Sequence, residues 1–364
     1  MQTPTIKITD PMAAPPTRGP IDRLFLRIMP DQRDLPFVRL TLAMTFVLLP
    51  CAAAVFVVPR LLGFSTWFVA LPYWALLFGV FFDKYILMLH NVSHRRLFKR
   101  EWRWLAKWIT WVVGPLAGES PETYFTHHIL MHHAEGNLPK DLSSTMWYRR
   151  DSFAHWLLYF FRFFFLIQAE MARYQLAKGR VKVTAWMLIG EWSFFGLCAA
   201  MLWVNWEAAL VVFVIPFGLA RILMMAGNWG QHAFIDQNHP DDDYRSAITC
   251  INTRYNRRCY NDGYHIGHHV VASRHWTEMP KDFLDLLPEY QKRDAIVFEG
   301  IDFFQVWLYL MLGRYDWLAN RYVDLGHGRS KEEIIAFLKS RVQPIRGWKA
   351  PTREVAEPSQ AAAA

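Results

Sequence analysis

Eight of the 14 histidines fall into three tight groups. His90 and His94 are four apart in HNVSH. His128, His132 and His133 follow in THHILMHH, with His127 as an extra neighbour. His265, His268 and His269 lie in NDGYHIGHH. On a helix, residues four apart share a face, about 6 Å apart at Cβ, and three apart does nearly as well. Each group is therefore expected to aim at least two imidazoles at one point. His232, four after Asn228, makes a ninth candidate. Neutral imidazole is the commonest metal ligand, and nine imidazoles exceed what one ion accepts, so two ions are implied. Imidazole suits iron, zinc, copper and nickel, and the ligand count does not choose among them. No Glu follows His90, His128 or His265, so the HExxH pattern of zinc peptidases is absent. A lone histidine is usually a satisfied core or surface residue, and His155, His239 and His327 are read that way.

The elements that position these groups are membrane spans. Of 364 residues 53% are hydrophobic, with 17 Trp and 27 Phe, residues that concentrate in cores and at bilayer interfaces. A bilayer core takes about 20 apolar residues as helix. Uncharged Thr41–Pro59 is a first span, Trp67–His90 a second, Ala185–Val204 a third with one acid (Glu191), and Ala208–Trp229 a fourth with one base (Arg221). Short turns at 59–66 and 205–207 make two helical hairpins. Phe153–Ala169, interrupted by His155 and Arg162, and Ile301–Leu312 are expected to lie in the interface instead. Most of the net charge of +8 flanks the same ends of the spans: Arg18 to Arg39, Arg95 to Lys107, Arg173 to Lys182 and Arg245 to Arg258. The opposite loops hold only Arg60. The positive-inside rule puts both termini, and all three histidine groups, in the cytoplasm. No nucleic-acid motif accompanies the basic charge. Met1–Gly19 lacks the apolar core of a signal peptide. The Pro-rich start and Pro351–Ala364 are expected to be loose.

Taken as a set, HNVSHRRLF (90–98), HHILMHH (127–133), NWGQH (228–232) and YHIGHH (264–269) resemble the boxes of the membrane fatty-acid desaturase and hydroxylase superfamily, over roughly residues 35–315. The resemblance implies an all-α integral membrane protein. Four transmembrane helices in two hairpins would carry a cytosolic helical cap with a di-iron site. It implies that His90, His94, His128, His132, His133, His232, His265, His268 and His269 bind two iron ions, that Asn228 holds a metal-bound water, and that O2 is the co-substrate for attack on C–H bonds of a fatty acid or acyl lipid. The organisation expected is a cytosolic N-terminal segment (1–34), the membrane domain (35–320) and a cytosolic tail (321–364). Two boxes depart from the commonest forms: His90 is followed by Asn91 rather than Asp, and His269 by Val270 and Val271 rather than Leu-Phe-Pro.

Several polar residues have expected supporting roles. Asp262 and Glu135 flank ligand groups and are candidate acceptors for imidazole N–H. Asp83 is either another acceptor or half of a pair with Lys84, and His275 is an outer neighbour. Glu191 and Arg221 are intramembrane charges, costly unless paired or facing a cavity. Cys51 and Cys198 lie in spans, and Cys250 and Cys259 are expected to be reduced. No Cys-x-x-Cys, His-Pro-Gly-Gly or G-x-G-x-x-G occurs, so electrons are expected from an external donor, a ferredoxin or similar with its reductase. The expected activity is oxygen-dependent desaturation of an acyl chain at a bacterial inner membrane. A hydroxylase, or a decarboxylase forming a terminal alkene, would use the same site. A non-catalytic metal transporter would instead carry its histidines within the spans.

Overall fold

Four apolar stretches form the long helices Gln32–Leu62, Trp67–His94, Val181–Val204 and Trp206–Gln231 in a computed structural model that describes residues 6–16 and 19–348. At about 1.5 Å per residue, even the 24-residue third helix outreaches a hydrocarbon core of about 30 Å. The protein is a multi-pass membrane protein. The first helix starts at Gln32 rather than Thr41, because Leu35, Phe37, Val38 and Leu40 bury one face of the added turns. The second runs on to His94. The Pro-rich start in part, Arg18 and Pro351–Ala364 lie outside the described residues.

Prolines shape these helices locally. Pro50, Pro115 and Pro216 each lack an N–H, and a proline ring crowds the carbonyl four residues back. In each case the preceding residue donates five residues back: Leu49 to Met44, Gly114 to Ile109 and Ile215 to Leu210. A wide π turn absorbs the missing bond. Two more wide turns, Leu77–Phe81 and His128–His132, have no proline directly after them; the second lies in the site.

The 25-residue helix Phe153–Ala177 buries Trp156, Tyr159, Phe160, Phe163, Ile167 and Met171, a stripe of helical period. It runs past the expected end at Ala169, and it is not among the four helices apolar enough to cross a membrane. Helix Phe303–Met311 packs on the fourth span at Gly230, where a Cβ would strike the Phe303 carbonyl.

The all-α expectation fails in the extramembrane part. Ile248–Ile251 and Ile296–Glu299 pair as parallel strands, Ile248 opposite Ile296. Both are short apolar runs (ITCI, IVFE), and nearly every residue is buried. Length and periodicity give no signal in runs this short.

The chain ends are tied to this layer. Asp10 Oδ2 accepts from Asn252 N (2.7 Å), Asn256 Nδ2 (2.9 Å) and the Tyr264 hydroxyl (2.7 Å). Helix Lys331–Arg341 opens with a Ser330–Glu333 capping box and contributes Ile334 and Leu338 to the core around Phe298 and Phe303. Fully buried Arg150 donates to the carbonyls of Ala233, Arg341 and Gln343 at 2.8–2.9 Å, binding the segment after the second histidine box to the chain beyond 340.

Candidate metal centre

The nine histidines converge in two adjoining groups. His90, His94, His128, His133 and His268 each bring a ring nitrogen within 4.8 Å of the others, and so do His132, His232, His265 and His269. The two groups meet where the rings of His133 and His269 stack, 5.0 Å between centroids.

Each box reaches these positions differently. His90 and His94, four apart at the end of the second span, enter one group as α-helical spacing expects. In the second box two rings also share a group, but not at a spacing of four. The π turn His128–His132 brings His128 and His133, five apart, into the first group, and sends His132 to the second. In the third box, His265 and His269 share the second group, and His268 serves the first. Neighbours His132/His133 and His268/His269 thus point to different centres. His232 follows the last turn of the fourth span and is fully buried.

The outer ring nitrogens set the tautomers. His90 Nδ1 lies 2.9 Å from Asp262, His132 Nδ1 2.7 Å from Asp141, and His232 Nδ1 2.9 Å from the Ser246 carbonyl. Each Nδ1 must donate, so each Nε2 presents a lone pair inward. These lone pairs meet further imidazole nitrogens: His90 Nε2 to His268 Nε2 at 2.7 Å, and His232 Nε2 to His265 Nε2 at 3.2 Å. Crowded acceptors of this kind fit a cation, and two groups fit two.

Burial disfavours the charged form of an imidazole. It pushes His128, His265, His268 and His269 well below the usual histidine range, with neighbouring imidazoles adding to the effect. Burial and His132 take His232 down to about 3. Burial alone would raise Asp141, but His132 beside it and the Ser143 hydroxyl hold the carboxyl down to about 2. Asp141 therefore stays an anion facing His132.

Both groups open onto an apolar cavity of about 270 Å³. Phe78, Phe82 and Ile86 of the second span, Phe163 and Ile167 of the 153–177 helix, and Met224 and Met225 of the fourth span line it; His90, His128, His132 and His265 stand at its wall. The third span supplies no lining residue.

The expected supporting residues divide. Asp262 does accept from His90, and also from the Tyr255 hydroxyl at 2.8 Å. Glu135 does not face an imidazole: it accepts from Tyr174 at 2.6 Å and lies 3.3 Å from Lys178. Asp83 pairs with Arg258, not with Lys84. His275 sits between Asp34 (2.9 Å) and Thr277 (2.8 Å), and Arg33 and Arg95 hold the neighbouring Asp31. Glu191 and Arg221 are linked through one residue, Ser120, which donates to Glu191 and accepts from Arg221 at 3.2 Å. Asn228 belongs to neither nitrogen group; it lines the cavity and donates to Tyr159 (2.7 Å) and the Ser143 carbonyl (3.1 Å). Asp141, Ser246 and Tyr255 had not been singled out. Asp141 carries one signal in the sequence, an acid eight residues behind a box.

The model of the fatty acid desaturase family matches residues 65–300. That stretch holds all four boxes and most of the chain. The chain belongs to the fatty acid desaturase family. Searches of curated proteins and of solved structures gave no match. Family and paired nitrogen groups together make it a histidine-box di-iron membrane enzyme acting on lipids.

Proposed function

We propose that this enzyme is an oxygen-dependent desaturase that places a C=C bond in a fatty acyl chain, using electrons from an external donor. The observation that carries the proposal is the apolar cavity ending on both histidine groups. An extended hydrocarbon can lie along Phe78, Phe82 and Ile86 with its methylenes against the centre.

We assign His90, His94, His128, His133 and His268 to one iron, and His132, His232, His265 and His269 to the other. Bound there, the irons would supply the oxidation of an unactivated C–H bond by dioxygen. The protein's part is positional. Asp262, Asp141 and the Ser246 carbonyl hold three rings with Nε2 inward. The apolar walls keep bulk water away from the reacting carbons. Asn228 has its Nδ2 committed to Tyr159 and Ser143, which leaves Oδ1 as an acceptor beside the centre. The positive-inside rule supports a cytoplasmic location for the centre, where Arg and Lys gather at the span ends, and an acidic ferredoxin suits that face as donor.

Expression in a host lacking the activity, with gas chromatography of lipids and headspace, tests this. An internal double bond is expected. A terminal alkene one carbon shorter, or an oxygenated chain, would replace desaturation by decarboxylation or hydroxylation. His132→Ala and His268→Ala should each abolish product while the protein stays in the membrane.

A further inference from the structure

A second cavity, of about 490 Å³, lies beside the first. Exposed Arg96, Arg100, Arg103 and Lys107 form its outer rim, and buried Tyr85, Ile109, Glu119 and Ser120 its inner end. Glu119 is 1% exposed, and neither carboxylate oxygen has a hydrogen-bond partner. An orphaned carboxyl lining a cavity with four basic side chains at its rim calls for an explanation.

The partition between the cavities is thin. Tyr124 lines both, and its ring lies 5.3 Å from that of His128. Ser120 lines the outer cavity, and Arg221, bonded to it, lines the inner one. Glu119 thus lines the outer cavity next to Ser120, within electrostatic reach of Arg221 in the inner one.

Resting on the desaturase assignment above, we propose that Glu119 is the proton relay of the reaction, taking protons from the outer cavity and passing them across the Tyr124 partition to the histidine chamber. Each turnover removes two hydrogen atoms from the acyl chain and combines them with one dioxygen, two electrons from the external donor and two protons, giving one C=C bond and two waters. Those protons must cross into a chamber whose walls exclude bulk water, and the outer cavity, open at its basic rim, offers a way in.

The charges around Glu119 favour a carboxyl that exchanges its proton near neutrality. Burial raises it to about 7, Glu191 pushes the same way, and Arg221 opposes them. The hydroxyls of Tyr85 and Tyr124, and Glu122 with its partner Lys107, are further titratable groups lining the cavity; burial, aided by Asp262 and Glu119, lifts Tyr124 far above the usual phenol range.

The test is Glu119→Gln, which keeps shape and removes the proton. Turnover should fall about 100-fold, the lower range of what a positioned proton transfer contributes, with KM for the acyl substrate and iron content unchanged. Oxygen uptake should uncouple toward hydrogen peroxide. In the wild type, turnover should decline above about pH 7 as Glu119 loses its proton; the variant should lack that limb, and Glu119→Asp should restore part of the rate. Metal-free wild type should also show the infrared carbonyl band of a buried neutral carboxyl, absent from Glu119→Gln. A variant with wild-type rate and pH profile overturns the relay, as does equal loss in Gln and Asp variants with a lowered melting point, or a wild type without the band. If the wild type desaturates no acyl chain, the parent assignment fails by itself, while the infrared titration still reports on Glu119.

Discussion

Three imidazoles owe their direction to one acceptor each, and Asp141 is the most enclosed of the three acceptors. It accepts from His132, from the Asn137 and Ser143 amides and from the Ser143 hydroxyl. Asp141→Asn keeps the shape but can turn an N–H toward His132. Metal affinity should fall about 10- to 100-fold, read as iron retained during dialysis against a graded chelator. Protonation gives a second expectation at this scale. His127 and His232 are each held near 3 in the folded protein, first by burial, against about 6.5 in an unfolded chain. Between those values the unfolded state binds more protons, so stability rises with pH there. The melting temperature of metal-free protein should be level above about pH 7 and fall steadily as pH drops from about 6.5 toward 3. The nine histidines were legible because their spacing is local. Asp141 and Ser246 were not, because they reach His132 and His232 through loop geometry across 9 and 14 residues. Glu135, closer to the box in sequence, points instead to Tyr174.

At the scale of elements, the π turn His128–His132 decides which centre each ring of the second box serves. Regular α geometry would put His128 and His132 on one face. Deleting Ile129, inside the turn, should relax it to α-helix and change which rings face each group. Iron per chain, by elemental analysis of the purified protein, should drop from two to one or fewer, with the variant still in the membrane fraction. The four spans were legible almost to their ends, because a bilayer demands length and apolarity together. The wide turns at Pro50, Pro115 and Pro216 had a written cause; the one at His128–His132 did not, and counting by fours alone would pair His128 with His132. The strands escaped for another reason: four residues each, they gain their identity only by pairing across the 44 positions between them.

At the scale of the whole molecule, the N-terminal segment is a strap across the loop that leads to the third box. Thr9 N donates to Asn252 Oδ1 at 2.7 Å, and Asn261 donates to the Pro11 carbonyl at 2.7 Å; with Asp10, these bonds span more than 240 residues. Nothing local in the sequence announces them. Asp10→Ala removes the acceptor of three hydrogen bonds and leaves Asn256 and Tyr264 short of partners, a loss of about 1–3 kcal/mol per buried group left unsatisfied. The thermal midpoint should fall, and iron should be lost faster on warming, although Asp10 belongs to neither nitrogen group; differential scanning fluorimetry with an iron-release dye reads both.

The alternation within two boxes has a last consequence. A single peptide bond joins His132 to His133, and another joins His268 to His269, yet each pair divides between the two centres. Seating the first ion must therefore set the backbone for the second. Filling should be all-or-none: a metal titration would show empty and doubly loaded chains with few singly loaded ones between, and a chelator that empties one pocket would empty its neighbour as well.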